Sequence, residues 1–147
     1  LMRSFEEIRR VAGVKLGFSK EVEGVPTTNP KIGLIAPPSK FRALNGSDVL
    51  ANSHEIAARV ISLSNIHRAI PLTSAMCLAA ACKIEGSLPH RLAKKASGDI
   101  RIGTPSGVME VGAEVKKMND GWDVPSTRSY RTARRLMHGS VLIPALT

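Results

Sequence analysis

Thr73 and Ser74 stand at the head of a run, Thr73 to Ile84, in which nearly every residue is apolar and most favour helix. A helix that starts there presents several unpaired N–H groups and the positive end of its dipole. That is a seat for a carboxylate, or for an oxyanion formed during a reaction. Thr73, Ser74 and Ala75 are the candidate groups at this seat, and His67 and Arg68, just upstream, are placed to add charge-assisted hydrogen bonds. A second candidate is the turn Thr104-Pro105-Ser106-Gly107, whose Ser106 hydroxyl and backbone amides can face a ligand. Both features also have an ordinary reading. A buried helix needs a cap, which Thr73 or Ser74 supplies, and Pro-Ser-Gly is common turn chemistry.

No other constellation competes. The chain has no G-x-S-x-G elbow, phosphate loop or dinucleotide fingerprint. Glu6-Glu7 lies on an amphipathic segment and reads as solvent-facing. His54, His67, His90 and His138 are dispersed without metal-ligand spacing, so no metal is expected. Cys77 and Cys82, the two cysteines, point about 140° apart on a helix of 3.6 residues per turn. They cannot share a disulfide or a metal, and read as reduced, buried thiols.

The elements that must position these residues follow from pattern. Ser4-Phe5-Glu6-Glu7 has the form of a capping box, followed by Phe5, Ile8, Val11, Ala12 and Leu16 at helical spacing, with Gly17 at the end. Residues 19–29 read as a loop, Lys31 to Ala36 as a short strand closed by Pro37-Pro38, and Asn45-Gly46-Ser47 as a turn. Glu55 to Leu63 fits either a helix or a strand buried on both sides; strand is the choice made. The run from Thr73, stopped by Gly86, shows no polar face until Lys83, so it predicts a central helix covered on all sides. Residues 86–98 read as a loop with a helical turn at Leu88 to Lys95. Residues 99–103 and 108–115 alternate about the 104–107 turn and predict a β-hairpin, with Asn119-Asp120-Gly121 a further turn. Arg131 to Leu136 suggests a basic helix, and residues 140–144 a closing strand.

The 147 residues fit one domain, residues 1–147, of α+β class. No apolar run approaches the roughly 20 residues a membrane span needs, and the N-terminus does not read as a signal peptide, which predicts a cytoplasmic protein without a membrane partner. The net charge of +9 fits a solvated surface first and a small polyanion next. The basic residues are not interleaved with aromatics and no nucleic-acid motif appears, so nucleic acid is not an expected partner.

Taken together, His67-Arg68-Ala69, Pro71 to Cys77, Thr104 to Gly107 and Arg131 to Gly139 resemble the 2-methylaconitate cis–trans isomerase and aconitate isomerase family. The opening helix and Pro30 to Pro38 agree. The resemblance covers essentially all of this chain, but only the C-terminal half of a family member. It implies a diaminopimelate epimerase-like fold, with a curled, mostly antiparallel sheet around one central buried helix. It also implies cofactor-independent allylic proton transfer on an unsaturated tricarboxylate, with the active site between two domains.

The partners implied are a small tricarboxylate and the missing N-terminal half, with which the closing strand near 140–144 would pair. Left uncovered, that strand invites self-association, which adds a homo-oligomer. The family's proton-transfer groups, a lysine and a cysteine, belong to the other half, so no acid or base is assigned here. Racemases on the same fold carry a cysteine at the start of this helix, where this chain has Pro71-Leu72-Thr73. The substrate-binding candidates are therefore Thr73, Ser74, Ala75, Ser106 and His67, and the isolated chain is expected to be inactive. Ser74 and Ser64 stand where the family usually has Gly, and Thr104 where it has His. A non-catalytic anion-binding or interaction domain on the same fold is the alternative.

Overall fold

Small and β-branched residues over 56–62 form a strand that buries both faces, and the other elements are laid out on either side of it. In the computed structural model, which describes residues 1–62, 65–94 and 98–143, the chain opens with α1 (Met2–Lys15) and β1 (Ile32–Ala36). A small hairpin of β2 (Phe41–Arg42) and β3 (Asp48–Val49) leads to the central strand β4 (Ile56–Ser62), and β5 (Asn65–Ile66) folds back on the end of β4. Then come α2 (Leu72–Lys83), α3 (Leu88–Leu92), β6 (Ile100–Thr104), β7 (Gly107–Met118) and β8 (Gly121–Ser129). The main sheet runs β1-β4-β6-β7-β8, with β5 on β4; all pairings are antiparallel except β4–β6.

The expected α+β fold is present. The sheet curls over α2, which lies against β6, β7 and β8. Ala75 and Ala79 of α2 are fully buried and, with Ala80 and Cys82, meet Ile56, Ala58, Val60, Ile102 and Val111 of the sheet. Small side chains on that face let the helix backbone sit close to the strands, and Lys83 Nζ ties the helix end to the Ala113 carbonyl at 2.8 Å. The helix stops where Ile84 turns extended, the Ser87 hydroxyl takes the Ala81 carbonyl at 2.6 Å, and Gly86 takes a φ of +83°. On the other side of β4, Arg59 reaches over the Phe41 ring of β2 at 4.8 Å, and Ala43 and Val49 of the β2–β3 hairpin are buried.

Several expectations require correction. α2 is not covered on all sides: Thr73 and Cys77 are exposed, and Ser74, Leu78 and Ala81 only partly buried. Cys77 is thus not a buried thiol, whereas Cys82 is. The Ser4 capping box does not form, because the helix begins earlier, at Met2. Glu6 instead pairs with Arg9 and Arg10 at 2.8 Å. Arg9, nearly fully buried, docks the helix by donating to the Pro26, Asn29 and Pro30 carbonyls.

Strand β8 was not anticipated, since Pro125 interrupts its pattern; it is an edge strand, where a missing amide is tolerated. The basic helix over 131–136 is absent: residues 130–143 adopt no helix or strand, because Leu136 and Met137 find no surface to bury against. For the same reason the closing strand is not formed through Ile143, and Pro144 lies outside the described residues, as do Leu63, Ser64 and Lys95. The expected strand over 31–36, the strand at 55–63, the turns at 45–47 and 119–121, the hairpin about 104–107 and the helical turn beginning at Leu88 are all found within the described residues.

Two stability predictions follow from this packing. Glu55 is nearly buried, and burial by itself would raise its carboxyl pKa; the Arg101 side chain at 2.5 Å and the Arg101 amide at 2.7 Å outweigh that and hold it below the ordinary value. A lowered folded-state pKa means stability present above the unfolded value of 4.5 and lost as pH falls below it. Glu55→Gln is expected to lower stability by about 1–3 kcal/mol at pH 7 and to flatten the acid limb of a urea-midpoint profile between pH 5 and 3. At Gly103 a Cβ would lie 2.7 Å from the His54 ring, so Gly103→Ala is expected to cost roughly 1–3 kcal/mol in chemical denaturation.

Candidate functional site

The start of α2 is left uncapped. Pro71, at the N-cap position, has no side-chain acceptor to offer, and neither Thr73 nor Ser74 makes a capping hydrogen bond. The Ala75 amide closes the first turn onto the Pro71 carbonyl at 2.9 Å. The amides of Leu72, Thr73 and Ser74 have no acceptor among the described residues. Three N–H groups and the helix dipole therefore point outward together, while Ala75, an expected contributor, has its amide engaged and its side chain fully buried.

This helix start opens on a groove of about 470 Å³. One wall is the uncovered face of α2, with Thr73, Ser74 and Cys77; the other is β1 and β4, with Ile32, Ile35 and Val60. Lys31 and Asn29 add a cation and an amide to the lining. The lining is mostly apolar, with Thr73, Ser74, Lys31 and Asn29 among its polar members, an arrangement that can take a carboxylate at the helix start and a hydrocarbon portion against Ile and Val side chains. Thr73, Cys77 and Ala81, four residues apart, form one stripe of α2. Lys31, Asn29 and Cys77 were not among the site candidates read from the sequence; the one available signal was that Cys77 repeats the position of Thr73 one turn on.

His67 and Ser106 are brought together beside the approach to α2 rather than into the groove. The Ser106 hydroxyl donates to the Arg68 carbonyl, binding the 104–107 turn to the loop that precedes the helix. The His67 amide donates to the Val60 carbonyl at 2.8 Å, and its ring Nε2 is buried without a partner among the described residues. Thr104 is buried, and its hydroxyl is used within the hairpin, on the Gly107 carbonyl at 3.0 Å. Ser74, the other departure from the family pattern, does line the groove, while Ser64 lies outside the described residues. No group of side chains with metal-ligand character occurs among the described residues, and no helix among them is long and apolar enough to cross a membrane.

The class of protein is thus an α+β domain of the diaminopimelate epimerase type. A family model described as PrpF protein matches residues 1–144, and the chain belongs to that family. It is 31% identical to the 2-methyl-aconitate isomerase of Shewanella oneidensis, over 97% of this chain and 37% of that protein. It is 30% identical to the putative isomerase YraM of Bacillus subtilis, over 95% of this chain and 36% of that one. The crystal structure of methylitaconate-delta-isomerase superposes with a TM-score of 0.77 at 20% identity, covering 88% of this chain and 36% of that chain, a likeness of fold. The chain therefore spans little more than a third of the length of the relatives it matches.

The two cysteines test the groove directly. Burial pushes the Cys82 thiol up to about 12, whereas Cys77 is exposed on the groove wall. Treating the folded chain with a maleimide at neutral pH is expected to modify Cys77 alone, with Cys82 reacting only in denaturant; peptide mapping reads the result.

Proposed function

We propose that this chain is the second domain of an isomerase acting on unsaturated tricarboxylates of the aconitate or 2-methylaconitate type, and that it supplies the anion-binding wall. The observation that carries the reading is the trio of unengaged amides at the start of α2, opening on a groove, in a chain similar over 97% of its length to a 2-methyl-aconitate isomerase. In this reading a base removes an allylic proton next to a carboxylate, the electron pair spreads into an extended enolate, and a proton returns at a different carbon. The double bond moves or rotates with no net oxidation, so no cofactor is required. Charge builds on carboxylate oxygens in the transition state, which is what fixed amide donors stabilise. The net charge of +9 suits a substrate with three carboxylates.

The same reading assigns the proton-transfer groups to the remaining part of the protein, a first domain on the far side of the groove. The uncovered Leu136, Met137, Val141, Leu142 and Ile143 favour a tail that pairs with that domain. Thr73 and Ser74 hold the substrate at the helix start, His67 and Ser106 set the approach loop, and a cytoplasmic setting would suit a soluble metabolite. A second reading, a non-catalytic anion-binding or interaction domain, is favoured by Ser74, which narrows the seat the family usually lines with Gly.

Ser74→Asp separates these readings when placed in a two-domain protein carrying this chain. A carboxylate in the first turn of α2 favours the helix, so thermal stability is expected to hold or rise. The same charge opposes a carboxylate substrate, and kcat/KM toward cis- and trans-aconitate is expected to fall roughly 10²-fold, since juxtaposed like charges cost a few kcal/mol. Unchanged turnover in a folded variant removes the assigned seat. A two-domain protein that is stabilised by tricarboxylates yet turns none over leaves the binding domain.

A further inference from the structure

His54 is fully buried, yet nothing in the groove chemistry uses it. Its ring stands edge-on to Phe41 of β2, centroids 5.7 Å apart, and against the backbone of β6, where a Cβ at Gly103 would lie 2.8 Å from Nε2. On one side of the ring, Nδ1 lies 3.4 Å from the Ser53 hydroxyl, which itself donates to the Leu50 carbonyl at 2.7 Å. Nε2 is buried with no hydrogen-bond partner among the described residues. A neutral ring tolerates this, because a bare lone pair facing a CH₂ group loses only one hydrogen bond. A protonated ring must place an N–H and a positive charge where the described residues offer no acceptor.

The charged groups around it do not reverse that balance. Glu55, the adjacent residue, is an anion, but both its oxygens are already occupied by Arg101 of β6. Lys94, which follows α3, donates its amide to the Glu55 carbonyl and its ammonium to the Ala51 carbonyl at 3.0 Å. Arg59 of β4 lies over the Phe41 ring and donates to Gly103. Three cations thus attend the site against one engaged carboxylate.

What rests on His54 is the support of the approach to α2. The hairpin it backs is joined to the 104–107 turn through the Leu44 amide and the Pro105 carbonyl at 2.8 Å. That turn is joined to the loop before α2 through Ser106 and Arg68. We infer that His54 is an acid-sensitive strut: neutral, it fills the space between Phe41 and Gly103 and fixes the β2–β3 hairpin and the 104–107 turn; protonated, it lets them go. It is a positioning residue and touches no ligand.

The burial of a neutral imidazole sets the sign. The unfolded chain takes up a proton near pH 6.5 that the folded chain refuses, so stability is present above that pH and is lost as pH falls below it. The carboxylates held by arginine act lower, below 4.5, which leaves the window from pH 7.5 to 5.5 to histidine. The test is urea unfolding of the full chain, followed by the fluorescence of Trp122, together with the ring-proton NMR titration of His54. The unfolding constant is expected to rise up to about tenfold from pH 7.5 to 5.5, the limit for one proton taken up only by the unfolded state. Native His54 is expected to keep its neutral chemical shifts at pH 5.5, and His54→Leu to remove that pH dependence. Should His54→Leu fail to fold, the NMR titration still decides. A native His54 that titrates near 6.5, or an equal rise in the unfolding constant of folded His54→Leu, overturns the inference.

Discussion

The close seating of α2 on the sheet is the constraint from which the rest follows. Ala75 and Ala79 carry no exposed surface, and only side chains of that size let the helix backbone approach β6 and β7 while Ile102 and Val111 fill the space between. Once the helix is held by one face, its start and its other face are set in position. The uncapped amides of Leu72, Thr73 and Ser74 then occupy a fixed place relative to β1 and β4, without any side chain of their own to hold them. Preorganisation of this kind is what makes a backbone donor useful to chemistry, since nothing has to be ordered when the ligand arrives.

The two faces of α2 have different chemistry. Cys82 and Cys77 are the same residue type on one helix, but burial leaves Cys82 inert while Cys77 stands on the groove wall. A helix of this composition is hydrophobic all round, and such a helix in isolation would not leave half its surface to water. The open face, the exposed Ile8 and Val11 of α1, and the apolar tail residues 136–143 are all apolar surface without cover. This chain matches relatives that are nearly three times as long.

Much of the fold was legible in the sequence, for reasons that differ by element. The strand at 56–62 and the hairpin about 104–107 declare themselves because turn residues and alternation are local, and the local signal agrees with the final environment. The helix at 72–83 was legible in composition but not in burial, because composition cannot tell a missing neighbour from a present one. β8 was missed because Pro125 and alternating polar residues speak against a central strand, and say nothing against an edge one. A helix over 131–136 failed for the converse reason: six residues of fair propensity are too few to hold a helix without docking. At the candidate site, the helix start near Thr73 and Ser74 was readable, whereas the engagement of the Ala75 amide and of the Ser106 hydroxyl depends on partners distant in sequence or on where the helix starts.

The position of Ser106 shows how the two candidate features become one. A turn residue at 106 and a loop residue at 68 are far apart in the chain, but the β4–β6 pairing lays the 104–107 turn beside the loop that feeds α2. The hydroxyl is therefore spent on scaffolding, and its contribution to a ligand site is indirect, through where the helix begins. Thr104 follows the same logic, with its hydroxyl closing the hairpin on Gly107. Of the departures from the family pattern that fall among the described residues, Ser74 lines the groove, whereas Thr104 is held within the hairpin. A hydroxymethyl group at the third residue of α2 reduces the room beside the unengaged amides and adds one hydroxyl donor at the groove wall.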